Sequence, residues 1–458
     1  MPHSSIVHDL RSAHSADALL TGVPLPTLLY FALPIILGNI FQQLYSIVDA
    51  IVVGNFLGDL PLSGISVASP IVDVANALVI GGTIGVGVLC AHYCGAGEGE
   101  RLRCMNATAL LGGGALTLLI ALCGIFFSTP LLRAQGTEEA VCREAAVYLQ
   151  LVFAGLLFCF LYNYYAAMLR SCGNSRTPFL ILLLSSTLHA LLDVLFVGVF
   201  GWGIRGVAFS TVLCQALAAA ACILYAQRRC PPLLLRPANL RFDRQMARLV
   251  LSYAWAAALQ QAVVCIGRLL VQGMLTPLGT STVTGYNMSL RTEQFLFCFS
   301  QGISAAMVVC LSQNLGHGDR PRARRFFRIS VLVELALIAL LGTVCFLFPA
   351  RIVGLFSDNA DVIAAGAQYT GAMAYLYVFA YLGEVIQGFF RGVGDLKVTL
   401  VSSTFNMVFR VAAAAVFVLV WKMEIEALPY SYAVGWVVML LYELPMLVRY
   451  LRSHGDEL

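Results

Sequence analysis

The sequence predicts an all-α integral membrane protein with twelve transmembrane helices. The 458-residue chain is 59% hydrophobic and only 11% charged, whereas soluble domains are about 25% charged. Apolar runs of about 20 residues or more, each long enough to cross a bilayer, recur along its whole length. The runs contain Gly and lack the alternating polarity of barrel strands, so helices are favoured. The predicted spans are 28–56, 62–92, 106–130, 145–168, 178–200, 204–227, 249–275, 283–313, 328–349, 367–390, 397–421 and 427–448.

The spans form two six-helix halves that repeat each other. One constant offset relates the loop motif at 95–103 to the one at 316–324, and the motif at 170–174 to the one at 391–395. Because six spans separate the repeats, both have the same orientation, which predicts two bundles related by a pseudo-two-fold axis along the membrane normal. The predicted parts are a cytoplasmic segment 1–27, an N-lobe 28–227, a cytoplasmic linker 228–247, a C-lobe 248–448 and a cytoplasmic tail 449–458.

The distribution of positive charge predicts the orientation of the chain. If the N-terminus is cytoplasmic, 20 Lys and Arg residues lie in inside segments and 5 in outside segments. Such a bias places both termini inside. The first residues lack the pattern of a cleaved signal peptide, and the absence of targeting signals predicts the plasma (inner) membrane of a bacterium. The net charge of only +4 predicts no nucleic-acid partner.

Two aspartates within the apolar spans indicate where the chemistry of the chain resides. Asp49 and Asp193 each lie seven residues before the outer end of their spans, and Thr211 lies seven residues into the sixth span. All three are therefore expected at one depth, roughly 10 Å below the outer surface. A carboxylate in such a span costs roughly 2.5–3.5 kcal/mol on insertion scales, so a function is favoured over a purely structural role.

Two carboxylates and a hydroxyl at one depth predict a site for a coupling cation. The site suits a proton, because burial and a neighbouring carboxylate both favour protonation, and it also suits Na⁺, which accepts oxygen ligands from Asp49, Asp193 and Thr211. His189 precedes Asp193 by four residues and shares its helix face. It either extends a proton path or hydrogen-bonds the aspartate.

The second half lacks this acid pair, since the offset places Leu270 and Ala414 opposite the two aspartates. Charged residues of its spans are expected to neutralise each other as Arg–Glu pairs or to contact a cationic substrate. The fourteen Cys residues are interpreted as small buried hydrophobes, and no metal or cofactor site is predicted. The residues predicted to line a substrate cavity are Gln42, Tyr45, Asp73, Tyr165, Met288, Glu293 and Glu384.

Several sequence motifs resemble the multidrug and toxic compound extrusion (MATE) family over nearly the whole chain. The strongest is the first span, from Leu33-Pro34 through Gln42-Gln43-Leu44-Tyr45 to Asp49. The resemblance implies cation-coupled export by alternating access. In the DinF-like branch of that family, the N-lobe site falls on Asp49, His189, Asp193 and Thr211, with His189 standing where Asn is usual. Further motifs are Gly95-Ala-Gly-Glu98, Leu169-Arg-Ser-x-Gly-Asn174, Gly206-Val-Ala-x-Ser-Thr211 and Arg391-Gly-x-Gly-Asp395.

The predicted function is secondary active efflux of small organic cations or amphipathic drugs, coupled to H⁺ or Na⁺, by a monomer surrounded by lipid. The alternative is export of a lipid-linked or saccharide precursor, although the N-lobe is acidic whereas such flippases have a cationic cavity. An intramembrane enzyme is disfavoured, because the spans lack zinc-protease and serine-hydrolase motifs. A passive channel is disfavoured by the repeat of two lobes.

Overall fold

The computed structural model describes residues 16–234, 241–274, 280–423 and 425–453, except the side chains of 16–17, 48–50, 59, 232 and 280–283. Within these ranges the chain is mostly helical and contains no strand. Twelve of the described helices are long and apolar enough to cross a membrane. The predicted all-α membrane class is confirmed. The predicted segments 1–27, 228–247 and 449–458 lie partly outside the described residues.

Each predicted span overlaps one of twelve long helices. The helices are α1 (Pro24–Phe56), α2 (Asp59–Ala96), α3 (Gly99–Ala134), α4 (Glu139–Ser171), α5 (Arg176–Asp193), α6 (Gly203–Arg229), α7 (Arg244–Gly273), α8 (Thr280–His317), α9 (Arg320–Leu347), α10 (Ala360–Gly392), α11 (Leu396–Ala415) and α12 (Ala427–Ser453). Most of these helices extend beyond the apolar run, whereas α5, α7, α9 and α11 end before theirs. Short helices cover Ala16–Thr21, Pro231–Leu233 and Pro349–Val353. Segments of π-helix, Val194–Val199 and Val416–Val420, follow α5 and α11.

The repeated loop motifs of the sequence are helix C-terminal caps. Gly97 ends α2 at φ 69°, and its counterpart in the second repeat, Gly318, follows α8 at φ 87°. Gly173 and Gly394 end α4 and α10 in the same way, at φ 88° and 87°. In each case the glycine and the next residue donate backbone hydrogen bonds to the last helical turn. Glycine adopts this left-handed conformation with the least strain. The motifs therefore recur in both halves because each of these helices needs a glycine at its end.

The chain forms two compact units whose bounds differ from the predicted lobes at α1 and α7. One unit comprises Met1–Thr21 and Leu37–Gln261, and the other comprises Gly22–Ile36 and Ala262–Leu458. The first part of α7 therefore packs with the first unit, and the first part of α1 with the second. The predicted lobes follow the sequence repeat, and as functional divisions they stay a prediction.

Equivalent helices pack together in both units. In the first unit α4 lies against α2, α3 and α6, and α5 lies against α6. In the second unit α10 lies against α8, α9 and α12, and α11 lies against α12. The fourth helix of each repeat is therefore the centre of its bundle, and large buried side chains such as Tyr164 and Tyr377 belong to these two helices.

Candidate functional site

The end of α5 and the start of α6 carry the polar side chains of the candidate site. His189 and Asp193 lie one turn apart near the end of α5, and both are buried. The chain then forms the wider π-helical turn Val194–Val199 and returns as α6, which carries Ser210 and Thr211. Segments of π-helix often occur at functional sites. The second repeat has the same segment without an acid, so the π-helix belongs to the fold and the acid is the special feature.

The carboxylate of Asp193 is completely buried between these elements. Its Oδ1 accepts a hydrogen bond from the hydroxyl of Ser210. Its Oδ2 lies 2.9 Å from Nδ1 of His189, within ion-pair distance. This contact lacks the alignment of a hydrogen bond, and Oδ2 has no hydrogen-bond partner among the described residues. The carboxylate oxygen attracts the ring only if Nδ1 carries a hydrogen, so the tautomer of His189 decides whether this contact is favourable.

His189 joins three elements through its ring nitrogens. The hydroxyl of Tyr45 on α1 lies 2.6 Å from Nδ1, and the two rings meet edge to face with centroids 4.9 Å apart. On the other side, Oγ1 of Thr211 lies 2.9 Å from Nε2. Thr211 also donates to the carbonyl of Val207 over 2.9 Å, so its oxygen is able to accept from a protonated Nε2. The ring thus connects Asp193 with groups on α1 and α6.

The structure brings three of the four predicted coupling residues together. Asp193, His189 and Thr211 form one continuous cluster in which His189 contacts the other two. The fourth, Asp49, belongs to α1, but its side chain lies outside the described residues. Ser210, the direct partner of Asp193, was not among the site residues predicted from the sequence. Its position next to Thr211 was the available signal, but a serine in a membrane helix is too common to be informative alone.

The predicted cavity residues of the first unit differ in their surroundings. Tyr45 belongs to the coupling cluster, since it contacts His189. Tyr165 is buried within the bundle, whereas Asp73 on α2 and Gln42 on α1 are exposed. Their role in substrate binding stays a prediction.

In the second unit, the predicted cavity acids have partners. Glu384 forms an ion pair with Arg391 of the capped end of α10. Glu293 is buried and accepts a hydrogen bond of 3.2 Å from Tyr369, with the charges of Arg268 and Arg410 close enough to interact favourably. The sequence places Arg391 in a cytoplasmic segment, so this pair differs from the Arg–Glu pairs expected within the spans, which stay a prediction. The remaining cavity residue, Met288, is half-buried on α8.

Two buried acids of the second unit were not among the site residues predicted from the sequence. Glu334 on α9 and Glu443 on α12 are both completely buried. None of their carboxylate oxygens makes a hydrogen bond of good geometry to the described residues. Each stands alone in an apolar run, and this signal, the same that identified Asp193, marks both as functional candidates.

An apolar cavity of about 620 Å³ opens between α2, α3 and α7 of the first unit. Its walls include Val86, Ile120, Phe160 and Trp255. The volume lies within the range of small-molecule sites. None of the predicted cavity or coupling residues lines it, so this cavity and the coupling cluster are separate features.

Twelve spans in two repeated bundles, with a buried acid–histidine cluster in one of them, define a membrane transporter. A family model described as MatE matches residues 34–195 and 256–416, most of the chain and both of its halves. The chain belongs to the MatE family. The resemblance found in the sequence motifs is thereby confirmed, while the assignment to the DinF-like branch stays a prediction.

Curated relatives and solved structures agree with this family. The chain is 28% identical over 382 residues, 83% of its length and 85% of the relative's, to the "Probable multidrug resistance protein YpnP" of Bacillus subtilis (strain 168). It is 25% identical over 420 residues, 90% of each chain, to "Probable multidrug resistance protein YoeA" of the same strain. A crystal structure of MATE in complex with MaL6 superposes with a TM-score of 0.88 at 19% identity, covering 95% of this chain and 99% of that chain.

Proposed function

We propose that this chain exports small amphipathic, often cationic molecules by antiport with protons, which bind at the cluster of Asp193 and His189. The observation that carries the proposal is the contact of 2.9 Å between Oδ2 of the buried Asp193 and Nδ1 of His189. Family membership supplies the transport function, and the names of the two Bacillus relatives support multidrug substrates.

The chemistry of the cluster favours a proton over Na⁺ as the coupling ion. Na⁺ would require several oxygen ligands around one point, and Asp49, Asp193 and Thr211 are the predicted set. In the structure, however, the ring of His189 lies between Asp193 and Thr211 and contacts both. Because a nitrogen that binds protons occupies this place, a proton shared by Asp193 and His189 fits the cluster better than a metal cation.

In the proposed cycle, protonation changes the charge of the buried cluster and thereby favours one conformation of the transporter. A proton entering from outside neutralises Asp193, with Asp49 as the predicted second carboxylate. Neutralising a buried charge lowers the free energy of the conformation in which that charge is buried. This drives the conformational change that releases substrate. Loss of the proton to the cytoplasm then resets the cluster. The proposal places both termini in the cytoplasm and the chain in the bacterial plasma membrane, as a monomer without a cofactor.

Transport in reconstituted liposomes tests this function. Ethidium efflux is measured under an imposed pH gradient and, separately, under a Na⁺ gradient. The wild type is expected to transport under the pH gradient, and Asp193→Asn and Asp49→Asn are expected to abolish that transport. The matched control is Asp361→Asn, which makes the same change at an exposed position on α10.

Three outcomes would contradict the proposal in whole or in part. Transport by Asp193→Asn at the wild-type rate would exclude the proposed coupling cluster. Transport of a lipid-linked saccharide but of no organic cation would favour the alternative, a flippase. Transport under the Na⁺ gradient alone would keep antiport but replace the coupling ion.

A further inference from the structure

Three cysteine thiols meet at the ends of α2 and α4, away from the coupling cluster. The Sγ atoms of Cys90, Cys94 and Cys172 all lie within 4.8 Å of one another. The closest pair, Cys94 and Cys172, is separated by 3.3 Å. We call these three residues the thiol triad. From the sequence, all fourteen cysteines are interpreted as small buried hydrophobes, since no C-x-x-C metal pair is visible.

Rigid elements hold the thiol triad in place. Cys90 and Cys94 lie one turn apart on the same face of α2, and Gly97 caps that helix by donating to the carbonyl of Cys94. Cys172 is the C-cap residue of α4. The two helices are fastened at this point, since the hydroxyl of Ser171 donates a hydrogen bond of 2.7 Å to the carbonyl of Gly87. The sulfur atoms are therefore preorganised.

Packing alone does not require sulfur at these positions. The repeat offset places Leu311, Leu315 and Val393 at the equivalent sites of the second half. The ends of α8 and α10 have the same caps as those of α2 and α4. Because the same architecture forms there with branched aliphatic side chains, the three thiols in the first half call for a different explanation.

We propose that the thiol triad is a binding site for a soft d¹⁰ cation, Cu(I) or Zn(II), coordinated by three thiolates. Metal–thiolate bonds of about 2.3 Å place three sulfur ligands roughly 4 Å apart. The three sulfurs lie within 4.8 Å of one another, and the pair at 3.3 Å would open by several tenths of an ångström on binding. Soft sulfur ligands select such cations, and each coordinating thiol releases its proton to water. Cys94 and Cys172 are half-buried, and Cys90 is buried.

Binding of Cd²⁺ to the purified full-length protein tests the site. The protein is reduced with a phosphine, and thiolate-to-Cd²⁺ charge-transfer absorption is recorded during titration. The metal retained after desalting is measured by mass spectrometry. We expect one equivalent of Cd²⁺ in the wild type and a rise in thermal stability on binding. Competition with Zn²⁺ and with Cu(I) then shows which cation displaces Cd²⁺.

The variants Cys94→Leu and Cys172→Val introduce the residues of the second half, which suit this architecture. Each is expected to lose the equivalent of Cd²⁺ while keeping its helical content. Cys123→Ala, at an exposed position on α3, is the matched control and should bind like the wild type. Three results would overturn the proposal: no binding by the wild type, undiminished binding by both variants, or loss of two thiols as a disulfide that persists under the reductant.

Discussion

At the scale of single residues, the first unit concentrates its buried polar chemistry around one carboxylate. Asp193 has a hydroxyl donor on one oxygen and an imidazole nitrogen beside the other. The imidazole is held by a phenol and a second hydroxyl, from Tyr45 and Thr211. Every member of this chain of contacts is able to gain, lose or redirect a hydrogen, which is the property that proton coupling requires.

The hydroxyl of Ser210 is expected to contribute to coupling through Asp193. Ser210→Ala removes a hydrogen bond to a charged group, worth roughly 1.5–3 kcal/mol, so transport driven by the pH gradient should fall by about tenfold or more. The measurement is the initial rate of ethidium efflux from liposomes. The control is Ser185→Ala on the same α5 helix, where the hydroxyl donates only to the backbone carbonyl of Leu182. Equal rates for the two variants would count against the role of Ser210.

The imidazole of His189 is expected to determine the coupling ion. His189→Asn keeps a side chain that hydrogen-bonds to Tyr45 and Thr211, but it cannot be protonated in the physiological range. Transport driven by the pH gradient should fall strongly, because the protonatable ring beside Asp193 is lost, whereas any Na⁺-driven transport should persist. The two gradients are applied separately to the same liposomes. An unchanged response to pH would leave His189 with a structural role only.

At the scale of helices, small residues allow α2 and α7 to approach closely. A Cβ atom at Gly81 would lie 2.5 Å from the carbonyl oxygen of Ala257, and one at Gly85 would lie 2.7 Å from the carbonyl carbon of Tyr253. Both obstacles are backbone atoms that cannot rotate away. Membrane helices often use small residues in this manner, because close packing replaces the hydrophobic effect within lipid.

This contact predicts a difference between neighbouring glycines of α2. Gly81→Ala and Gly85→Ala should each lower the thermal stability of the purified protein, since overpacking typically costs about 1–3 kcal/mol. Gly82→Ala is the internal control, because a Cβ there meets nothing within 4 Å. Thermal unfolding in detergent measures the effect. Equal thermal stability of the three variants would contradict the prediction, because it would mean that α2 and α7 can move apart without a loss of folding free energy.

At the scale of the whole molecule, an internal repeat organises the chain. Asp59–Ala96 and Thr280–His317 begin and end at equivalent positions of the two repeats, as do Glu139–Ser171 and Ala360–Gly392. Caps, π-helical segments and helix neighbours recur in both halves. The acid–histidine cluster and the thiol triad do not recur at the equivalent described positions. The second half instead buries Glu334 and Glu443, so the two halves share an architecture and differ in their buried polar groups.

The charge bias predicts the orientation of the whole chain. A green fluorescent protein fused after the C-terminus should fluoresce, and alkaline phosphatase at the same point should be inactive, because the terminus is expected to be cytoplasmic. Truncated fusions after Ser357, between α9 and α10, should give the opposite result. High phosphatase activity at the C-terminus would reverse the predicted orientation and, with it, the side from which protons reach Asp193.

The sequence alone determined the helices, the repeat and the family, because these depend on patterns within short segments. Apolar length defines a span, and the recurring glycines mark the ends of α2, α4, α8 and α10. The isolated aspartate in an apolar run also identified Asp193, since burial of a charge is costly wherever the helix packs. Equal depth in the membrane predicted Thr211 near Asp193, and the four-residue spacing on α5 predicted His189 on the same helix face as Asp193.

Only the tertiary structure decided which side chains meet. The partnership of Ser210 with Asp193 and the meeting of Cys172 with Cys90 and Cys94 depend on how α5 faces α6 and how α4 faces α2. The assignment of the first part of α7 to the first unit also depends on packing between helices. The rotation of one apolar helix against another is set by the fit of side chains from both. No single span contains that information.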